Sequence, residues 1–200
     1  MTRTLTQLRP LDPADAIDLP AAQRAARDFL EALGADLAQD GMRDTPRRMA
    51  HMYAELLTAP SFVPTTFAND AGYDELVVAT HIPFHSLCEH HLLPFVGVAH
   101  VGYLPEGRII GLSKLARVVE RFARSFQVQE RLTTEIAGWL DAHLSPKGVG
   151  VVLEAEHLCM SLRGVQKPGT HTVTSALLGL VRDDARTRQE FLSLTGGCRG

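Results

Sequence analysis

Residues Phe95–Leu104 read FVGVAHVGYL, and their alternation and β-branched content mark a strand. Before it, ELVVAT (75–80) reads as another strand. After it comes the turn Leu104-Pro105-Glu106-Gly107 and then a short strand, RIIG (108–111). GVVLEAEHLCMSL (150–162) and THTVTSALLGLV (170–181) have the same strand-like texture. In SKLARVVERF (113–122), Leu115, Val118, Val119 and Phe122 fall at i, i+3, i+4 and i+7, one face of a helix. Leu132, Ile136, Trp139 and Leu140 define a second such face within 129–143. Strands arrive in sequential pairs joined by turns, so the expected fold is α+β: an antiparallel sheet with two helices on one face.

The flanks are helical. Ala21, Ala25, Phe29, Leu30 and Leu33 share a face, with Gly34 near the end of that helix. Asp44-Thr45-Pro46 opens a second helix, with a capping residue followed by Pro in the first turn, and Pro60 ends it. Residues 60–73 read as a loop, DDARTRQEFLSL (183–194) as a short final helix, and the first eighteen residues as a tail.

The chain of 200 residues is long enough to bury a core, and a composition 45% hydrophobic and 22% charged is that of a globular protein. A net charge of −3 gives no overall basic balance, which argues against nucleic acid as a partner. No apolar run approaches the ~18 residues that mark a membrane span. The N-terminus lacks the apolar core of a signal peptide, so a cytoplasmic protein is expected. Three cysteines, Cys88, Cys159 and Cys198, do not make a disulfide framework. Cys198, in the GGCRG tail, reads as incidental.

The other two cysteines each stand beside imidazoles. SLCEHHLLPF (86–95) puts Cys88, Glu89, His90 and His91 in a row, and Cys88 and His91 are close enough to grip one small cation. Leu92, Leu93 and Phe95 read as the core side of the strand that follows. His157-Leu158-Cys159 brings a second thiol and imidazole, sharing a face if the segment is extended. Each cysteine alone reads as a small buried hydrophobe. Together they suit zinc bound by two thiolates and one imidazole with the fourth position open, the catalytic rather than the structural pattern. A nucleophilic Cys88 activated by His90 or His91 is the alternative, and it leaves Cys159 without a part.

Ser113 stands where a helix opens, with Lys114 and Arg117 beside it, so free backbone N–H groups and two cations gather at one end. An anion site is one reading and a solvated helix face the other. Glu130, in Val128-Gln129-Glu130-Arg131, suits a helix start on electrostatic grounds alone. Its carboxylate would also accept from adjacent N–H donors such as guanine N1–H and the exocyclic amine. Arg163 follows Cys159 by four, and Arg47 and Arg48 add cations on an N-terminal helix.

In this order, CEHH (88–91), GLSKLARVVERFA (111–123), VQERLT (128–133) and EHLCMSLRG (156–164) resemble GTP cyclohydrolase I over roughly residues 20–195. The resemblance implies the tunnelling fold, in which sheets and helices of neighbouring subunits join into a ring, and two pentamers stack into a homodecamer. It implies a hydrolase that opens the imidazole ring of GTP, releases formate and forms 7,8-dihydroneopterin triphosphate, the first step towards folate and pterins. Carried over by residue, Cys88, His91 and Cys159 hold Zn2+, and His90 and His157 carry protons. Glu130 and Gln129 hold guanine, and Ser113, Lys114, Arg117, Arg163 and Arg48 meet the triphosphate. A second basic residue that the family often has after that arginine is His51 here. The implied organisation is a tail at 1–18, an N-terminal helical segment at 19–60, a catalytic domain at 61–195 and a tail at 196–200, with allosteric control a property to look for. Set against this are a non-catalytic nucleotide-binding module and another purine or pterin enzyme on the same fold, such as one using thiol chemistry on a deazaguanine nitrile.

Overall fold

The computed structural model describes residues 17–196. Most of the expected N-terminal tail, and Cys198 with the end of the C-terminal one, lie outside the described residues. The described chain forms two compact units that divide between Ala59 and Pro60.

The first unit contains α1 (Leu19–Ala32) and α2 (Thr45–Leu57). The Asp18 carboxylate caps α1 by accepting from the Ala21 N–H at 2.9 Å, and Pro20 sits in the first turn, where its missing donor costs nothing. Asp44 stands at the N-cap of α2 but does not cap it with its side chain; its carboxylate pairs with Arg47 at 3.1 Å instead.

The second unit is built on a five-stranded sheet in the order β5-β2-β3-β6-β7. Its strands are β2 (Val77–Cys88), β3 (Pro94–Leu104), β5 (Phe126–Gln127), β6 (Gly148–His157) and β7 (His171–Gly179). The β2-β3, β3-β6 and β6-β7 pairs are antiparallel, whereas the two-residue β5 runs parallel beside the end of β2. The sheet is therefore mixed at one edge. β1 (Thr66–Ala68) pairs with β4 (Arg108–Ile110) in a separate ribbon, so the expected loop at 60–73 contains a strand.

On one face, α3 (Leu112–Ala123) and α4 (Gln129–Leu144) cover the sheet. Leu115, Val118, Val119, Leu132, Ile136 and Leu140 pack with Phe95, Ala99, Val101, Tyr103, Val149, Val151, Leu153 and Ala155 in one core. Each such Leu, Ile or Val contributes about 1.5–3 kcal/mol by leaving water.

The expectation of helices on one face needs an addition. α6 (Leu180–Asp183) and α7 (Ala185–Gly196) follow β7, and Phe191 of α7 lies over Gly102 and Gly150. These glycines are register partners that alternate with core residues, so they belong to the opposite face. A Cβ on Gly150 would stand 2.6 Å from the Phe191 ring, so only glycine admits it there.

Two strand boundaries differ from the sequence reading, and both matter for the site. β2 does not stop at Thr80; it passes a register shift between Ala79 and Ile82 and runs to Cys88. β6 ends at His157, and Leu158–Ser161 turns into the short helix α5, so Cys159 does not share a strand face with His157. The cause is the neighbours: β3 begins at Pro94 and β7 at His171, and their last pairings reach only His157 and Glu156.

Candidate active site

Buried Leu87 and Cys88 close β2, and residues 89–93 turn the chain into β3. The turn is held by backbone bonds from Cys88 N–H to Leu93 O (2.9 Å) and from Leu92 N–H to Cys88 O (2.8 Å). Leu92 takes a left-handed φ of 56° and is exposed, and Phe95 alone of the expected apolar wall is fully buried. A second restraint comes from β5, whose Gln127 carbonyl accepts from the Glu89 N–H at 3.0 Å. The tight turn leaves Cys88 inward and the two histidines outward.

Cys159, 71 residues away, comes within 4.0 Å of Cys88, sulfur to sulfur, and His91 Nδ1 is 3.8 Å from Cys88 Sγ. The three donor atoms all lie within 4.8 Å of one another, and no other His, Cys, Asp or Glu trio among the described residues does so. Ligands at ~2.3 Å (S) and ~2.0 Å (N) around a tetrahedral zinc stand about 3.5–3.8 Å apart, so this donor set fits with small adjustments. Burial and the neighbouring Cys88 thiol raise the Cys159 pKa. The crowded Cys159 thiol thus resists ionisation alone, and a divalent cation reverses that preference. His90 Nδ1 is also close to Cys88 Sγ, at 3.7 Å, yet His90 is not part of the converging trio.

His157 is fixed from two sides. Its ring stacks on Phe95 with centroids 4.7 Å apart and planes 6° from parallel. Its Nε2 is 2.8 Å from Gln129 Oε1. Gln129 is buried, and its Nε2 donates to Leu153 O (3.2 Å), Thr172 O (2.9 Å) and Thr174 Oγ1 (3.1 Å). Carbonyls only accept, so the amide nitrogen faces them and the amide oxygen faces His157. That assigns the proton to His157 Nε2 and leaves Nδ1 with a lone pair. Burial lowers the His157 pKa, and the Glu130 carboxylate partly offsets it. The neutral ring is therefore favoured, ready to take up a proton at Nδ1.

Glu130 is exposed in the first turn of α4. Ser113, Lys114 and Arg117 occupy the first two turns of α3, and none of them forms an ion pair among the described residues. Arg163 lies beyond α5, exposed, and its charge acts on Cys159. Glu156 secures this connection by accepting from Ser161 Oγ (2.5 Å) and Gly169 N–H (2.9 Å), bonds that lower its pKa. Arg48 lies on α2 in the first unit, donating to Gly41 O (2.8 Å) and Thr45 Oγ1 (2.9 Å).

Sequence reasoning missed the supports. Arg131 Nη2 donates to Glu89 Oε2 at 2.6 Å and to Phe126 O at 2.8 Å, and its Nε donates to Gln127 Oε1 at 2.8 Å. Gln127 Nε2 in turn donates to Glu135 Oε2 at 2.7 Å. Burial pushes the Glu135 pKa up, against the pull of that bond and of Arg131. Arg131 and Glu89 are 42 residues apart, and no periodicity links them.

The family model for GTP cyclohydrolase I matches residues 22–196. The chain belongs to the GTP cyclohydrolase I family. It is 53% identical over 182 residues to GTP cyclohydrolase 1 of Aquifex aeolicus (strain VF5), covering 91% of this chain and 99% of that one. It is 51% identical over 178 residues to the Sulfurihydrogenibium sp. (strain YO3AOP1) enzyme of that name, covering 89% and 95%. It is 52% identical over 185 residues to the Mycobacterium marinum (strain ATCC BAA-535 / M) enzyme, covering 90% and 91%. A crystal structure of the archaeosine synthase QueF-Like in the apo form aligns at 18% identity and a TM-score of 0.42, over 52% of this chain and 94% of that one, too slight a likeness to bear on the fold. For this family, a Cys-His-Cys cluster at the end of the sheet has the chemistry of a metal site. Among the described residues no helix is long and apolar enough to cross a membrane.

Proposed function

We propose that this chain opens the imidazole ring of the guanine of GTP at a zinc site made by Cys88, His91 and Cys159. C8 leaves as formate, and the product recloses to 7,8-dihydroneopterin triphosphate. The observation that carries this reading is the convergence of those three donors from segments 71 residues apart, in a member of the GTP cyclohydrolase I family.

When bound, zinc supplies the Lewis acidity that lets water attack an aromatic carbon at neutral pH. The chain's own residues do the rest. His157, with Nε2–H held by Gln129, takes or returns a proton at Nδ1 near the reacting ring. His90, exposed beside the metal ligands, is the second proton carrier. The Glu130 carboxylate accepts from guanine N1–H and the exocyclic amine at the head of α4. Gln129, whose side chain is already occupied, serves the purine through the imidazole it orients. The first two turns of α3, with Ser113, Lys114 and Arg117, receive the triphosphate together with Arg163, and the family resemblance assigns Arg48 of the first unit a phosphate contact.

Residues 61–195 are read as the catalytic domain of tunnelling fold and 19–60 as a helical segment that contributes to assembly, in a cytoplasmic homodecamer of two pentamers. The test is incubation with GTP, following formate and pterin fluorescence with and without a zinc chelator. Turnover that a chelator abolishes and added zinc restores is expected. Full zinc occupancy in an intact assembly with no formate released would overturn the reading.

A further inference from the structure

Glu89 is the one side chain of the CEHH run without a part in the chemistry above. Its carboxylate is spanned by two partners: Oε2 accepts from Arg131 at 2.6 Å, and Oε1 faces His90 Nε2 at 3.8 Å. The pair lies at the surface, with Arg131 half-buried and Glu89 exposed, and side-chain exposures of 24% and 32%. Such a pair typically contributes little to stability, so its short charge-assisted bond matters here for orientation. Arg131 is held further, since the same Nη2 donates to the Phe126 carbonyl and Nε donates to Gln127 Oε1. The guanidinium therefore joins three elements, namely β5, the head of α4 and the turn after β2.

What it joins is the two halves of the site. Arg131 follows Gln129 and Glu130 on α4, and Glu89 lies between Cys88 and His90. Attack at one ring atom requires the purine anchor and the metal to keep a fixed separation, and small misplacements cost rate steeply. Backbone bonds from Glu89 N–H to Gln127 O and from His91 and Leu92 N–H to Cys88 O hold the main chain of the turn, and the Glu89–Arg131 bond is its side-chain tie to α4. We infer that Arg131 and Glu89 are positioning residues, which lock the turn carrying His90 and His91 to the helix start carrying Glu130. The inference rests on the proposed GTP reaction for its kinetic consequence, and not for its structural one.

The experiment uses the full chain with Glu89→Gln, Arg131→Met and the double variant. Zinc affinity is measured by competition with a chromogenic chelator, and kcat and KM for GTP at saturating zinc. Partners outside the ligand set typically change metal affinity or activity by about 10–100-fold. Each single variant is expected to weaken zinc about tenfold and to lower kcat about tenfold or more, with KM within about threefold and thermal midpoint near wild type. The double variant is expected to be no worse than the worse single one, because the two residues act as a unit. Wild-type zinc affinity in both single variants, or losses that multiply in the double variant, would overturn the inference. So would a kcat loss that follows a falling thermal midpoint, which would make the pair a structural tie only. If wild type itself does not release formate from GTP, the proposed reaction fails, and the zinc-affinity cycle still decides the positioning role.

Discussion

The sheet carries histidines in two places, and they are arranged to opposite effect. At the end of β2 and β6, His91 and His157 stand beside thiols, and the Nε2 of His157 has a dedicated partner in Gln129. On the second face, His81 and His100 meet edge to face with centroids 4.8 Å apart, and His171 pairs with Glu154 at 3.4 Å. His81, His100 and Glu154 line a cavity of about 440 Å³ with Val98, Val152 and Ser175, near the last turn of α7. The buried Nδ1 of His100 has no hydrogen-bond partner among the described residues, and no three donor atoms converge there as they do around Cys88. Histidine count does not make a site. Convergence of donors does, and at His157 a dedicated partner fixes the ring beside it.

The strongest way to break this contrast is Cys159→Ser. Removing a ligand is expected to weaken zinc by more than the ~100-fold that an outer partner costs, and to abolish formate release. Metal analysis of the purified variant checks it, and retention of wild-type affinity would show that the trio is not the ligand set. Next in size is Phe191→Ala on the second face, where the ring fills the space over Gly102 and Gly150. A loss of about 3–5 kcal/mol in stability is expected from emptying it. Zinc affinity should stay within about twofold if the two regions are independent. Denaturant unfolding and chelator competition on the same sample read both quantities.

The smallest effect is a pH dependence. Burial and the neighbouring His81 lower the His100 pKa, and Glu154 partly opposes them. The unfolded chain therefore binds the proton more readily, and stability is lost as pH falls below the ordinary histidine value of 6.5 towards the folded one. His157 acts in the same direction. His100→Leu is expected to flatten part of the acid slope of the thermal midpoint between about pH 6.5 and 5 while leaving the neutral-pH activity of the metal site in place. An unchanged slope would mean that His100 is protonated as easily in the folded state as in the unfolded one.

Much of the fold was legible because its signals are local. The helical faces of α3 and α4 are written in Leu115, Val118, Val119, Leu132, Ile136 and Leu140, and all six are buried as that spacing requires. The extension of β2 to Cys88 was not legible: Ile82-Pro83-Phe84-His85 carries a proline, and pairing with β3 overrides it. The break between His157 and Cys159 was equally hidden, since it depends on where the neighbouring strands stop.

Residue identity alone supplied the thiols, imidazoles and carboxylate of the site, because coordination and proton transfer each demand particular side-chain atoms. It also supplied the four ordered motifs that the family model matches. Tertiary structure alone brought the two thiols together and decided which nitrogen of His157 keeps its proton and which cation holds Glu89. Those choices follow from distances between segments 28, 42 and 71 residues apart, and no periodicity along the chain encodes a contact across such separations.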